Sequence, residues 1–435
     1  MLTSSLCLAA LALSAAAAPS PKQPGISIPL RRRAQPQTTD EIQAQARRMA
    51  DTLIAKYKPK GHSKRAGTAS EPLTDFNVDF QYYGSISVGT PAKSYDVILD
   101  TGSSDLWLAS SQCDVGCSSV TNPFDTSASS SFKNTQLPID IQYGSGEVQG
   151  IIGNDTVTMQ GFTIQGQGMG VMTTLSANVL QGSLSGLMGL AWPDLAQTGA
   201  TPWWLAVANS NAWTSPMFGF YLARFIDDAS AQTVESQGGS MDLGFANTNY
   251  YSGDINYITL TGENYWLIPL ESISIDSKKL TPGGQAAIDT GTSLIGGPSD
   301  TMAQLYAQIP GAQAGTGQLE GYYIYPCSTK VTVSLGFGGQ TYSIASEDFS
   351  RPADSTGTTC FGSFFPLDIN NGVVEWIVGD SFLKNVYSVY RASPPAVGFA
   401  TVKSSDNSAS ILGSPTPSII LGILTTSLLR PRTPG

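Results

Sequence analysis

Beyond about residue 76 the apolar positions fall in short runs, interrupted at close intervals by Gly, Asn, Pro and Ser. That punctuation predicts an all-β protein. GSISVGTPAKSYDVILD, ending at Asp100, reads as two strands around a turn, and so does ESISIDSKKLTPGGQAAID, ending at Asp289. Helical spacing shows in two places. One is IQAQARRMADTLIAKYK, with Ile42, Ala46, Met49 and Leu53 on one face. The other is SDTMAQLYAQI, for which Ser299 is the predicted N-cap.

Both strand pairs run into the same phrase. Residues 97–107 read VILDTGSSDLW and residues 286–295 read AAIDTGTSLI, so Asp100 and Asp289 stand 189 positions apart. One such tripeptide is an ordinary Asp-x-Gly turn ending a strand. Two copies in matched surroundings are a repeat. SGLMGLAW follows the first and EWIVGDSF the second, each with two apolar residues before a glycine. Gly102 to Gly189 spans 87 positions and Gly291 to Gly379 spans 88. Matching landmarks predict two lobes related by a pseudo-twofold axis, with Asp100 and Asp289 meeting at the interface as halves of one site. Carboxylates held together cannot both ionise cheaply, so such a pair shares a proton and suits general acid–base work on a water molecule. Ser103 and Thr292 stand where a hydroxyl can donate to the adjacent carboxylate. Gly102 and Gly291 allow the backbones of two facing loops to approach.

Charge divides the chain of 435 residues. Residues 1–65 hold 11 of the 23 Lys and Arg but 3 of the 33 Asp and Glu, leaving 12 basic against 30 acidic residues beyond them. A basic leader on an acidic body predicts a pro-segment held partly by electrostatics, and the acidic body argues against nucleic-acid partners. The leader ends at the dibasic Lys64-Arg65. It begins with LCLAALALSAAAAPS, an apolar run closing in small residues, as a secretory signal does. The single histidine, His62, lies in the leader. Its removal would exclude Ser-His-Asp and Cys-His mechanisms and His-containing zinc sites, and no metal or cofactor is expected. Four cysteines follow the signal, Cys113, Cys117, Cys327 and Cys360. Pairing within each half gives two disulfides, though four cysteines allow three connectivities.

With these features the sequence resembles the pepsin-like aspartic endopeptidases of peptidase family A1, in their fungal secreted form, over residues 76–402. The resemblance implies an all-β, bilobal fold with the active-site cleft between pseudo-twofold-related lobes and a β-hairpin flap above it. It implies Asp100 and Asp289 as catalytic residues, supported by Thr101, Gly102, Ser103, Thr290, Gly291 and Thr292. IQYGSGEVQG matches the flap, with Tyr143, Gly144 and Ser145 contacting substrate, and Trp107 matches the tryptophan that hydrogen-bonds the flap tyrosine. On their own, those residues read as an ordinary hairpin turn and a core aromatic. In the leader, Lys56-Tyr57 matches the lysine that family pro-segments place between the catalytic carboxylates; the competing reading is a solvated basic helix end.

The expected organisation is a signal peptide over 1–18, a pro-segment over 19–65, catalytic lobes over 76–250 and 251–402, and a Ser/Pro-rich tail over 403–435. Partners are protein or peptide substrates and the protein's own pro-segment, with the enzyme a monomer. Many fungal relatives carry an aspartate, associated with accepting lysine, where this chain has Ser145. That departure predicts large apolar side chains at the scissile bond, with Glu147 as the competing source of charge. A third disulfide common in vertebrate members is missing. Asn154-Asp155-Thr156 is the one N-glycosylation pattern. The tail carries IILGILTTSLL after a polar spacer and reads as a disordered tail on a secreted enzyme; the alternative is a GPI-attachment signal, which it resembles, with Asn407 or Ser408 as the site. A catalytically silent relative would have lost an Asp, a flanking Gly or the flap tyrosine, and this sequence keeps them all. A structural cell-wall protein would explain the tail but not the duplicated site.

Overall fold

The computed structural model describes residues 79, 81–143, 146–177, 179–180, 184–228, 230–231, 234–235, 237–369 and 372–403, and the backbone of 26–30. The predicted signal, the leader helix with Lys56, the Lys64-Arg65 pair, Gly144, Ser145 and the tail beyond Lys403 lie outside the described residues. The fold is all-β. The first half forms a seven-stranded sheet, and the second half a five-stranded sheet and two four-stranded ones. A six-stranded sheet draws on both halves. It combines Met217–Leu222 and Gly239–Leu243 with Tyr251–Thr259, Val386–Ala392 and Pro395–Val402. Its edge is Ile26–Leu30 from the leader, which pairs antiparallel with Gly239–Leu243. Pro29 fits an edge strand, where a missing N–H costs least.

The repeat in sequence is a repeat in topology. Lys93–Asp100 runs parallel to Leu184–Gly189, placing Ile98 opposite Leu187 and Leu99 opposite Met188. The strand leaving the first DTG, Leu106–Ala109, pairs antiparallel on the other side. In the second half Gln285–Ile288 runs parallel to Trp376–Val378, with Ile288 opposite Val378. Ile295–Gly297 flanks that strand antiparallel. In each half, therefore, the later apolar strand threads between the strands entering and leaving the DTG loop. It is buried at every position in both cases, as expected of strands covered on both faces. The glycine ending each one is sterically required. A Cβ on Gly189 would sit 2.4 Å from the Ser104 carbonyl carbon, and one on Gly379 2.1 Å from the Thr292 carbonyl oxygen.

Two local expectations are corrected. Ser299 is the first residue of its helix, Ser299–Tyr306, and Pro298 occupies the N-cap without a side-chain bond. The exposed helix start is capped from a distance: Asp368 accepts from Ser299 N at 2.9 Å and from Ser299 Oγ at 2.6 Å. The segment before Asp289 forms three strands in two sheets. Ser272–Ile275 and Lys278–Leu280 pair as a hairpin, whereas Gln285–Ile288 joins the five-stranded sheet. Gly283 and Gly284, at φ +68° and +91°, turn the chain from one sheet to the other in a backbone region that favours glycine.

Between the halves lies an aromatic core. Trp192 packs on Trp204 and Trp266 with ring centroids 5.3 and 5.1 Å apart, and Phe218 and Tyr390 pack on Trp266 at 5.7 and 5.2 Å. Trp266 and Trp204 donate their indole N–H to the carbonyls of Leu190 and Ala191, both at 2.9 Å. Apolar packing thus fixes the backbone immediately after Gly189. Edge-on ring pairs add roughly 0.5–1.5 kcal/mol each beyond their buried area.

Candidate active site

The two DTG loops are joined by four hydrogen bonds that repeat under the pseudo-twofold. Thr101 Oγ1 donates to the Ile288 carbonyl at 2.8 Å and accepts from Thr290 N at 2.9 Å. Thr290 Oγ1 donates to the Leu99 carbonyl at 2.7 Å and accepts from Thr101 N at 3.0 Å. Each hydroxyl both donates and accepts, and all four groups are buried, so every polar atom of the grip has its partner. The aspartates project from this base. Asp100 accepts from Gly102 N at 2.9 Å on Oδ1 and from the Ser103 hydroxyl on Oδ2. Asp289 accepts from Gly291 N at 2.9 Å on Oδ1 and from Thr292 Oγ1 at 2.8 Å on Oδ2. Two fixed donors per carboxylate hold its plane. The halves also meet at the carboxylates: a Cβ on Gly291 would lie 2.2 Å from Asp100 Oδ1. A side chain there would displace Asp100.

The first half also holds a hairpin of Lys133–Tyr143 and Gly146–Met159. Its register sets its two faces. Ile141 opposes Val148 and Tyr143 opposes Gly146, while Gln142 opposes Glu147 and Asp140 opposes Gln149. Ile139, Ile141, Tyr143 and Val148 are buried on the inner face, and the Trp107 indole N–H donates to Tyr143 Oη at 2.7 Å. Glu147 therefore points to the face opposite Tyr143, away from any space beneath the tyrosine. Ser176 braces the hairpin: its Oγ accepts from Glu147 N at 2.8 Å, and its N donates to the Glu147 carbonyl at 2.8 Å.

Behind the second loop lies a cluster that sequence reasoning missed. Asp380–Leu383 forms one helical turn whose N-terminal amides grip the loop: Asp380 N donates to the Thr292 carbonyl at 2.7 Å, and Ser381 N to Ser293 at 2.9 Å. Burial pushes the Asp380 carboxyl well above the usual carboxylate range; Lys384 pulls it down and Asp289 adds to the rise. One helical turn on, Lys384 is wholly buried and pairs with Asp79 at 3.0 Å and with Asp348. Arg224 also reaches Asp348, at 2.7 Å. A lysine inside the apolar stretch around FLKNV was the available signal.

The other expected residues fall as follows. Disulfides join Cys113 to Cys117 and Cys327 to Cys360, which settles the open connectivity. Asn154 is half-buried in a strand paired on both sides, opposite Lys133 and Gly168. Among the described residues, no group of three or more His, Cys, Asp or Glu is placed to hold a metal ion.

Comparison with known proteins agrees with this architecture. The family model described as "Eukaryotic aspartyl protease" matches residues 81–402. The chain is 46% identical to "Major aspartyl peptidase 1" of Cryptococcus neoformans var. grubii, over 81% of this chain and 75% of the relative. It is 35% identical to an "Aspartic protease" of Phaffia rhodozyma, over 80% and 83%. It is 36% identical to "Cathepsin E" of Aquarana catesbeiana, over 77% and 82%. With its doubled DTG loops and matched strand threading, the chain belongs to the eukaryotic aspartyl protease family and is an aspartic-type, pepsin-like peptidase.

Proposed function

We propose that the protein is a secreted acid endopeptidase in which Asp100 and Asp289 activate one water molecule between them. The observation that carries this reading is the reciprocal Thr101–Thr290 grip, with Asp100 set against Gly291. Close carboxylates share a proton, and aspartic proteases are the standard illustration of the effect. The ionised member takes a proton from water as its oxygen attacks the peptide carbonyl carbon, while the protonated member gives its proton to the carbonyl oxygen. The resulting gem-diol collapses when the first carboxyl protonates the departing nitrogen and the second recovers a proton from a diol hydroxyl. Bonds and protons balance with no covalent intermediate.

Residues 1–18 serve as the secretory signal and 19–65 as the pro-segment, with Lys56 as its inhibitory lysine and the mature chain starting after Lys64-Arg65. Supporting this, the leader strand Ile26–Leu30 occupies a sheet edge of the fold. Cleavage falls after large apolar residues. Ser145 brings no charge to the flap tip, and Glu147 sits on the outward face. A buried lysine would then lose hydration uncompensated, whereas a buried Phe or Leu gains roughly 1.5–3 kcal/mol, a preference of one to two orders of magnitude. The test is digestion of a random peptide library by the secreted protein from pH 3 to 7, read by mass spectrometry. Acid-favoured cuts after Phe, Leu or Tyr, blocked by statine peptides, are expected. Cleavage stopped by chelators alone, or efficient cleavage after Lys, would overturn the reading.

A further inference from the structure

The outward face of the hairpin carries two acids where a hairpin facing solvent has no need of them side by side. Asp140 and Glu147 sit on opposite strands, one on each of two successive outward-facing pairs, Asp140–Gln149 and Gln142–Glu147. Gln149 Nε2 contacts both, at 3.4 Å from Asp140 Oδ2 and closer to Glu147 Oε1. Asp140 Oδ1 is buried without a hydrogen-bond donor among the described residues. Two carboxylates offer only acceptors to each other, so this oxygen is satisfied when a proton lies between them. We propose that Asp140 and Glu147 form an acid-dependent latch across the hairpin, sharing one proton in acid and pushing the strands apart once both are ionised.

Among the described residues, the surroundings supply no competing cation. The other outward groups are Gln142 and Gln149 on the hairpin itself. Thr174 lies across from Gln149 on the neighbouring strand, and Ser176 follows it. The loop bridged to Thr174 at Val115 brings Asp114, a further negative charge. Lys133 lies at the far end of the hairpin, opposite Asn154. Burial and the Asp140 charge both raise the Glu147 carboxyl above its ordinary value of 4.5. A raised carboxyl stabilises below its ordinary value, and that contribution is lost as pH rises through the shifted one. The latch therefore closes in acid and opens toward neutrality. Like charges on neighbouring strands destabilise a hairpin, here enough for roughly a fivefold change in opening.

The proposal rests on reading this hairpin as the flap over the cleft, and the test separates the two. Hydrogen exchange of residues 139–150 is compared between the secreted enzyme and its Glu147→Gln and Asp140→Asn variants, at pH 3.5 and 6.5. Each substitution leaves a side-chain amide to donate where the shared proton lay. Equal exchange at pH 3.5, and roughly fivefold faster exchange in the unmodified enzyme at pH 6.5, is the expected result. KM for a peptide substrate should rise more steeply with pH in the unmodified enzyme than in either variant, with kcat at pH 3.5 unchanged. The same exchange ratio at both pH values overturns the latch. The expected exchange with parallel KM profiles upholds the latch and sinks the reading of the hairpin as a substrate-closing flap.

Discussion

The two half-sites are alike where they face each other and unlike behind. In front, each offers Asp, Thr and Gly with the same donors on the same oxygens. Behind the first loop the residue after Gly189 is Leu190, set among Trp192, Trp204 and Trp266. Behind the second, the residue after Gly379 is Asp380, followed one turn later by the buried Lys384 and its two carboxylates. The first half also carries the long hairpin of Lys133–Tyr143 and Gly146–Met159. Symmetry is kept where two loops must touch through matched hydrogen bonds, since a change on one side leaves a buried partner unmet on the other. Behind the loops that constraint is absent, and one back became an aromatic core while the other became an ionic one, with Tyr390 packed on Trp266 and feeling the charge of Asp380.

The largest effect tests the symmetric front. Asp100→Asn and Asp289→Asn should each lower kcat by at least about 10²–10⁴, the usual worth of a positioned proton-transfer group. The double variant should be scarcely worse than either single one, because the two act as a unit. Single-turnover kinetics on a peptide substrate measures this. If one variant keeps substantial activity, the half-sites are not equivalent and the comparison breaks in front as well as behind.

The second effect tests the difference between the backs. Lys384→Met leaves Asp79 and Asp348 buried without their shared cation, which should cost about 3–5 kcal/mol in stability. Leu190→Ala, at the matching position of the other half, should cost a comparable 2–5 kcal/mol through its cavity. The two should part in their response to salt. Buried charges are screened weakly, but unfolding releases them to solvent, so the loss at Lys384 should vary with ionic strength and the loss at Leu190 should not. Urea unfolding at two salt concentrations decides it. Equal salt response would mean that the cluster behaves as packing rather than as charge.

The same contrast explains what the sequence could disclose. The front was legible because duplication repeats along the chain: two DTG phrases and two apolar-apolar-Gly strands announce matched halves without any contact being known. The Trp107–Tyr143 bond was legible by resemblance, although it spans 36 residues. The ionic back was not. Lys384 and Asp79 are 305 residues apart, and neither periodicity nor local chemistry says which distant carboxylate meets a given lysine. Ser299 misled for a related reason. A serine before a helical run has the local chemistry of a cap, but the cap comes from Asp368, 69 residues on. In sequence Glu147 reads as a source of charge near the hairpin tip, and nothing singles out Asp140. Their proximity follows from hairpin register, which pairs residues across a turn rather than along a strand.

The smallest effect concerns Asp380, the point at which the ionic back touches the symmetric front. Its carboxyl is buried, Oδ1 has no hydrogen-bond partner among the described residues, and its proton is held well above the usual range. Folding therefore favours the protonated acid. That contribution is complete below the ordinary aspartate value and is lost as pH rises through the shifted one. Asp380→Asn keeps the shape and removes the titration, so the variant should match the unmodified protein near pH 3. As pH rises it should become the more stable of the two, with a melting temperature higher by about 1–3 °C at pH 7. Scanning calorimetry at both pH values checks this. A variant destabilised equally at both would mean that Asp380 acts as an ionised partner of Lys384. The second half-site would then be backed by a third paired carboxylate rather than by a neutral acid.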